Sequence, residues 1–119
     1  MYNEAVKEDT MQTYFVYVTF PSAVSAADTA RALLTERLIA CANLLPGVKS
    51  LYEWEGKMCE EQECVAVFKT TEARMEAMTA RIKALHPYEV PCIVALPLVA
   101  GYAPFLQWIA QQTTPQTHS

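Results

Sequence analysis

IACANLLPGVKSLYEWEGKMCEEQECVAVFKT, residues Ile39 to Thr70, reads as one long β-hairpin that folds back at Glu55-Gly56. From Val48 the side chains alternate. Val48, Ser50, Tyr52 and Trp54 point one way, and Lys49, Leu51, Glu53 and Glu55 the other. Period-two alternation is the signature of a strand with two unlike faces. Cys41 to Trp54, fully extended, spans roughly 45 Å at ~3.3 Å per residue, whereas an ordinary strand has only about 5–6 residues. The far end of such a ribbon overruns any sheet that this chain can build. A bare two-stranded ribbon is marginal in water and its open edges invite pairing. A second copy of the chain is the simplest cover.

The pattern around the hairpin supplies the rest of the sheet. Tyr14 to Phe20 (YFVYVTF) is β-branched and aromatic on both faces, as in a strand buried on both sides, and Pro21-Ser22 stops it. Ser25 then reads as a helix N-cap with Asp28 three residues on, opening a helix from about Ala26 to Leu38. Ala27, Ala30, Leu34 and Leu38 form its apolar stripe. Pro46-Gly47 predicts a bulge in the outgoing hairpin arm, because proline cannot donate to a ladder. Glu60, Glu61 and Glu63 read as a solvated, charged hairpin tip, and Val65 to Phe68 as a central strand.

Thr71 caps a second helix, Glu72 to Leu85, with Met75, Met78, Ile82 and Leu85 inward, and His86-Pro87 ends it. Cys92 to Leu96 is a fourth strand, with Pro97 suited to an edge. Pro104 opens a short helix carrying Phe105, Trp108 and Ile109. The order β-α-β-β-α-β plus a terminal helix predicts an α+β, ferredoxin-like sandwich with a long central hairpin. Right-handed crossovers put both long helices on one sheet face and leave the other uncovered. The expected boundaries are a loose tail over 1–12, one domain over 13–112 and a second tail over 113–119.

Composition narrows the function. Of 119 residues, 52% are hydrophobic and 18% charged, which marks a globular chain, and the net charge of −4 with no basic run argues against nucleic acid or an anionic membrane as partner. Met1 to Gln12 lacks a secretory apolar core, and the apolar run Cys92 to Ala100 is too short to span a bilayer. A cytoplasmic protein without membrane insertion is expected. Cys41, Cys59, Cys64 and Cys92 form no C-x-x-C pair and read as reduced small hydrophobes. Three glycines exclude P-loop and dinucleotide-binding loops, and neither G-x-S-x-G nor H-E-x-x-H occurs. No catalytic residues are assigned, and the chain is expected not to be an enzyme. An acylphosphatase-like hydrolase would need an arginine in a phosphate loop after the first strand, where this chain has TFPSAVS.

Four features carry the candidate chemistry. His86-Pro87-Tyr88-Glu89-Val90-Pro91 brackets an imidazole, a phenol and a carboxylate between prolines, which suits a metal or small ligand. The same His86 also fits a plain helix-end position beside the negative dipole end. Tyr52 and Trp54, at the far end of the ribbon, suit an oligomer interface, where such aromatics are enriched, or a ligand pocket. Lys69, between a strand and a helix start, suits an anion or plain solvent.

Taken together, four segments resemble the CutA family of divalent-cation tolerance proteins. They are LLTERLIACANLLPGVKSLYEWEGK (Leu33 to Lys57), VFKTTEARMEAM (Val67 to Met78), LHPYEVPCIVALPLVAG (Leu85 to Gly101) and FLQWI (Phe105 to Ile109). The resemblance implies a ferredoxin-like subunit in a homotrimer similar to PII signalling proteins, a role in tolerance of copper or another divalent metal, and no established reaction. A bacterial member has three proposed copper ligands. Its strand cysteine corresponds to Val18 and its paired histidines to Leu85-His86, so only His86 carries over as a metal residue. A PII-like sensor is the alternative, with an inter-subunit ligand cleft lined by Trp54, Lys69, Tyr88 and Glu89.

Overall fold

A computed structural model describes residues 11–115. Of the expected tails over 1–12 and 113–119, residues 1–10 and 116–119 lie outside them. The elements are β1 (Thr13–Phe20), α1 (Ala23–Thr35), β2 (Cys41–Trp54), β3 (Lys57–Thr71), α2 (Glu72–Leu85), β4 (Ile93–Pro97) and α3 (Ala103–Gln112). The strands form one antiparallel sheet in the order β2-β3-β1-β4, the ferredoxin-like arrangement expected from the pattern. Pro97 ends an edge strand, where its missing N–H breaks no ladder.

The hairpin turns through Glu55 and Gly56, both with positive φ (51° and 80°). Two left-handed residues in a two-residue loop match the twist of the flanking strands. The Pro46-Gly47 bulge is also present. Leu45 pairs with Val65 but Val48 with Glu63, so β2 carries one extra residue, and Gly47 takes φ 76°. The extra residue switches parity. Cys41, Asn43 and Leu45 lie on the same sheet face as Val48, Ser50, Tyr52 and Trp54.

β1 reaches only to Cys64 of β3. Beyond it, Val48–Trp54 and Lys57–Glu63 form a two-stranded extension. The longest dimension is 53 Å and the radius of gyration 16.0 Å, against ~13 Å for a compact chain of this size.

The first helix corrects the sequence expectation. It is capped by Ser22, whose Oγ accepts from the Ser25 N–H at 3.1 Å. Ser25 is not the cap. The buried stripe is Ala26, Thr29, Ala30 and Leu33, while Leu34 is 42% exposed. The pairs Ala26-Ala27 and Leu33-Leu34 make two adjacent stripes equally periodic, so periodicity alone cannot choose between them. The helix stops at Thr35 in a Schellman arrangement. Leu38 N–H donates to Leu33 O at 2.9 Å and Arg37 N–H to Leu34 O at 3.1 Å, with Arg37 at φ 59°. Leu38 is buried, but beyond the helix end.

α1 and α2 cover one sheet face. The core holds Val16, Val18 and Phe20 of β1, Ala66 and Phe68 of β3, Leu33 of α1, and Met78 and Ile82 of α2. Phe20 and Phe68 meet edge to face at 6.5 Å. Each large apolar side chain so buried contributes about 1.5–3 kcal/mol. Leu85, expected inward, is 38% exposed at the end of α2.

The other face carries Phe15, Tyr17 and Thr19 of β1, Val94 and Leu96 of β4, and Val65, Val67 and Lys69 of β3. The β1 residues there are half-buried, and Val94 and Leu96 are 51% and 56% exposed. The aromatic strand Tyr14–Phe20 is thus sealed on one side only. Thr113, expected in a frayed tail, is buried and hydrogen-bonded to Thr71. The Thr71 hydroxyl therefore caps no helix, although Thr71 holds the N-cap position of α2.

Candidate functional site

The chain ordering that follows α2 fixes His86. Pro87 forces the preceding residue out of helical geometry, and His86 sits at φ −77°, ψ 137°. Its ring turns back onto β1, stacked on Phe20 at 4.6 Å and tilted against Tyr88 at 4.9 Å. Both ring nitrogens are engaged. The Tyr88 N–H donates to Nδ1 at 3.1 Å, so Nε2 carries the proton and donates to the Thr19 carbonyl at 2.7 Å. His86 is 7% exposed. Ligating a metal requires releasing one of these two bonds.

Tyr88 then reaches the hairpin. Its hydroxyl donates to Glu63 Oε2 at 2.6 Å, and Ser50 Oγ donates to Glu63 Oε1 at 2.6 Å. Glu63 is 8% exposed, which corrects its place in a solvated tip. The bulge is the cause, since it brings Val48 opposite Glu63 and Ser50 one diagonal step away. Glu60 and Glu61 are exposed as expected. Among the described residues the side-chain ion pairs are Arg31–Asp28, Lys49–Glu60 and Arg81–Glu36, none of which involves Glu63. Among the described residues the buried Glu63 carboxylate thus has two hydroxyl donors and no ion-pair partner. Burial pushes the Tyr88 hydroxyl well above the usual tyrosine range, and its bond to Glu63 and that group's charge push the same way.

Further along the same face, Tyr52 donates to Glu61 at 2.9 Å. That bond leads the rise of the Tyr52 hydroxyl to about 12. Trp54, 59% exposed, is the last residue of the arm. Lys69 donates to Asn43 Oδ1 at the other end of the hairpin, beside Cys41. Burial raises the Cys41 thiol and the Lys69 charge opposes it.

Within one chain the expected cleft residues do not converge. Trp54 pairs with Lys57, and Lys69 lies on the same face twelve residues further along β3, a separation of roughly 40 Å. Tyr88 reaches β3 midway between them, and Glu89 is exposed. Glu63 and Ser50 are the site residues that the sequence reading missed. The local signal for Glu63 was its position just before the apolar run Val65–Phe68. Among the described residues no three or more His, Cys, Asp or Glu side chains gather as a metal group, and no helix is long and apolar enough to cross a membrane.

The model of the CutA1 divalent ion tolerance protein family matches residues 14–112. The chain belongs to this family. The CutA match takes in every element from β1 to α3. The divalent-cation tolerance protein CutA of Thermus thermophilus is 45% identical over 98 residues, which are 82% of this chain and 95% of that protein. Human protein CutA is 42% identical over 97 residues, again 82% of this chain but 54% of the human one. Among solved CutA structures, that of T. thermophilus superposes with a TM-score of 0.83 at 43% identity, covering 86% of this chain and 99% of its own. CutA1 of Oryza sativa gives 0.86 at 37% identity, covering 89% and 97%. A CutA from Archaeoglobus fulgidus described as periplasmic gives 0.83 at 36% identity, covering 86% and 99%.

Proposed function

We propose that this CutA-family chain acts in divalent metal tolerance as a homotrimer that binds a metal ion, copper among the candidates, or a small ligand without catalysis. The observation that carries this reading is Glu63, a buried carboxylate with hydroxyl donors but, among the described residues, no cation, on the sheet face opposite the two long helices. Burial of a charge is costly unless a partner compensates it. An entering cation supplies that partner, with the Glu63 oxygens, the Tyr88 hydroxyl and, after release of one bond, His86 at hand. The family description and relatives named for divalent-cation tolerance support the metal. The exposed Val94 and Leu96 and the overrunning hairpin support the trimer. A cytoplasmic location belongs to the same proposal. The cysteines of the described residues are free thiols, which suit a reducing compartment.

Calorimetric titration of the metal-free protein with Cu²⁺ and Zn²⁺ tests the site. Micromolar binding is expected, and Glu63→Gln and His86→Ala should each weaken it. Binding unchanged in both variants removes the assignment. Sedimentation tests the assembly, and a stable monomer at micromolar concentration refutes the trimer.

The separation of Trp54 from Lys69 supports a second reading, a PII-like sensor whose cleft takes these residues from different copies. A thermal-shift screen of nucleotides and organic anions addresses it. A ligand bound to the folded state must raise apparent stability, so a screen without any stabilising compound counts against this reading.

A further inference from the structure

We infer that α3 is a strap fastened across the lower end of the sheet by Arg37, and that it opens as a unit while the rest of the fold stays closed. The helix is weakly anchored by its own residues. Ile109 and, just past the helix, Thr113 are deeply buried, while Phe105 and Trp108 stack on each other at 5.7 Å with their outer surfaces exposed. Residues 98–102 join it to β4 without regular structure. Tyr102, at its N-cap, makes no side-chain cap. The helix has no acidic residue in its first turn and no basic residue in its last. No charged side chain of α3 offsets its dipole, and its last carbonyls are met only by the backbone N–H groups and hydroxyls of Thr113 and Thr114, which fray with the helix end.

Arg37 adds a cation and two further donors from elsewhere in the chain. Its Nε donates to Thr114 O at 2.8 Å and an Nη to Gln111 O at 3.1 Å. The backbone is unusual for that residue. Arg37 sits at φ 59° in the left-handed position that ends α1, where glycine is the ordinary occupant because it has no Cβ to strain. A glycine there would leave α3 without its clamp. Arg74 holds the turn in place by donating to Arg37 O at 3.2 Å. Further ties among the described residues are the fully buried Ile109 and the buried pair Thr71–Thr113 at 3.3 Å, on the sheet face opposite α1 and α2. Regions with few buried contacts open at lower free energy than the core. Opening α3 uncovers Thr71 and the foot of β3 on the face that the two long helices leave bare.

Native-state hydrogen exchange on the intact chain tests the strap. Amides from Ile109 to Thr113 should exchange at least about ten-fold faster than those of β3 and α2, as sub-global opening requires. Arg37→Gly relieves the left-handed strain and removes the guanidinium. It should raise α3 exchange about ten-fold, in line with losing charge-assisted hydrogen bonds, and leave core exchange unchanged or slower. Arg37→Lys, which keeps the charge but not the fork, should fall between. The inference fails if α3 amides in the unaltered chain exchange together with the core. It fails equally if Arg37→Gly leaves α3 rates unchanged, or if Arg37→Lys protects α3 as fully as arginine.

Discussion

Tyr88 donates its hydroxyl to Glu63 Oε2 at 2.6 Å and so ties the proline-bracketed loop after α2 to the outgoing ribbon. The two residues are 25 apart in sequence, and among the described residues Glu63 has one other donor, Ser50. Tyr88→Phe therefore leaves a buried carboxylate half satisfied. It should destabilise the fold by about 1–3 kcal/mol, the range for orphaning a buried acceptor. Glu63→Gln keeps the size and removes the charge, so it should cost less. Chemical denaturation of the three proteins measures both, and an unchanged midpoint for Tyr88→Phe refutes the tie.

The two raised tyrosines set an alkaline limit. A proton held more tightly in the folded than in the unfolded state stabilises fully below the unfolded value, near 10 for tyrosine. That contribution fades as pH climbs from there through the folded value, about 12 for Tyr52 and higher still for Tyr88. Stability should thus fall between pH 10 and 12 more steeply than in Tyr88→Phe. Ultraviolet titration should show two phenols ionising late, and one fewer in each Tyr→Phe variant. Ionisation of all six tyrosines near 10 contradicts the hydrogen bonds.

Leu96 is 56% exposed on the uncovered face, directly opposite Phe15. Leu96→Asp buries nothing charged within one copy but places a carboxylate in any face-to-face contact between copies. If the proposed trimer packs on this face, the expected result is a folded protein, by circular dichroism, whose sedimenting mass drops from trimer to monomer. A trimer that survives the change moves the interface off this face.

Ser22 and Ser25 have unlike roles at the start of α1. Ser22→Ala removes the oxygen that accepts from the Ser25 N–H and should cost about 1 kcal/mol. In Ser25→Ala the hydroxyl that is lost only donates to Ser22 O and accepts from Ser22 Oγ on the surface, and the change should fall within ~0.5 kcal/mol. Thermal unfolding of the pair decides the cap.

Much of this was legible locally. Alternation from Val48 to Trp54 gave the ribbon, Glu55-Gly56 its turn, Pro46-Gly47 its bulge and His86-Pro87 the end of α2, because each rests on backbone preferences that act within a few residues. The stripe of α1 was not legible, because Ala26-Ala27 and Leu33-Leu34 are equivalent until a cap fixes the helix phase. Nor was the environment of Glu63. Three glutamates in four positions look like a solvated tip, and only pairing with β2 and the approach of Tyr88 bury one of them.

The sequence by itself thus determined the element order, the overlong hairpin and the family likeness, all carried by short-range pattern and spacing. The tertiary structure decided which groups meet. It brought Glu63, Ser50, Tyr88 and His86 together at the junction of loop and ribbon, and it set Trp54 and Lys69 at opposite ends of one strand pair. It also placed Arg37 on the carbonyls of a helix 74 residues away. Hydrogen bonds between distant residues depend on register and packing, and those are fixed only when the whole sheet and its helices close around one core.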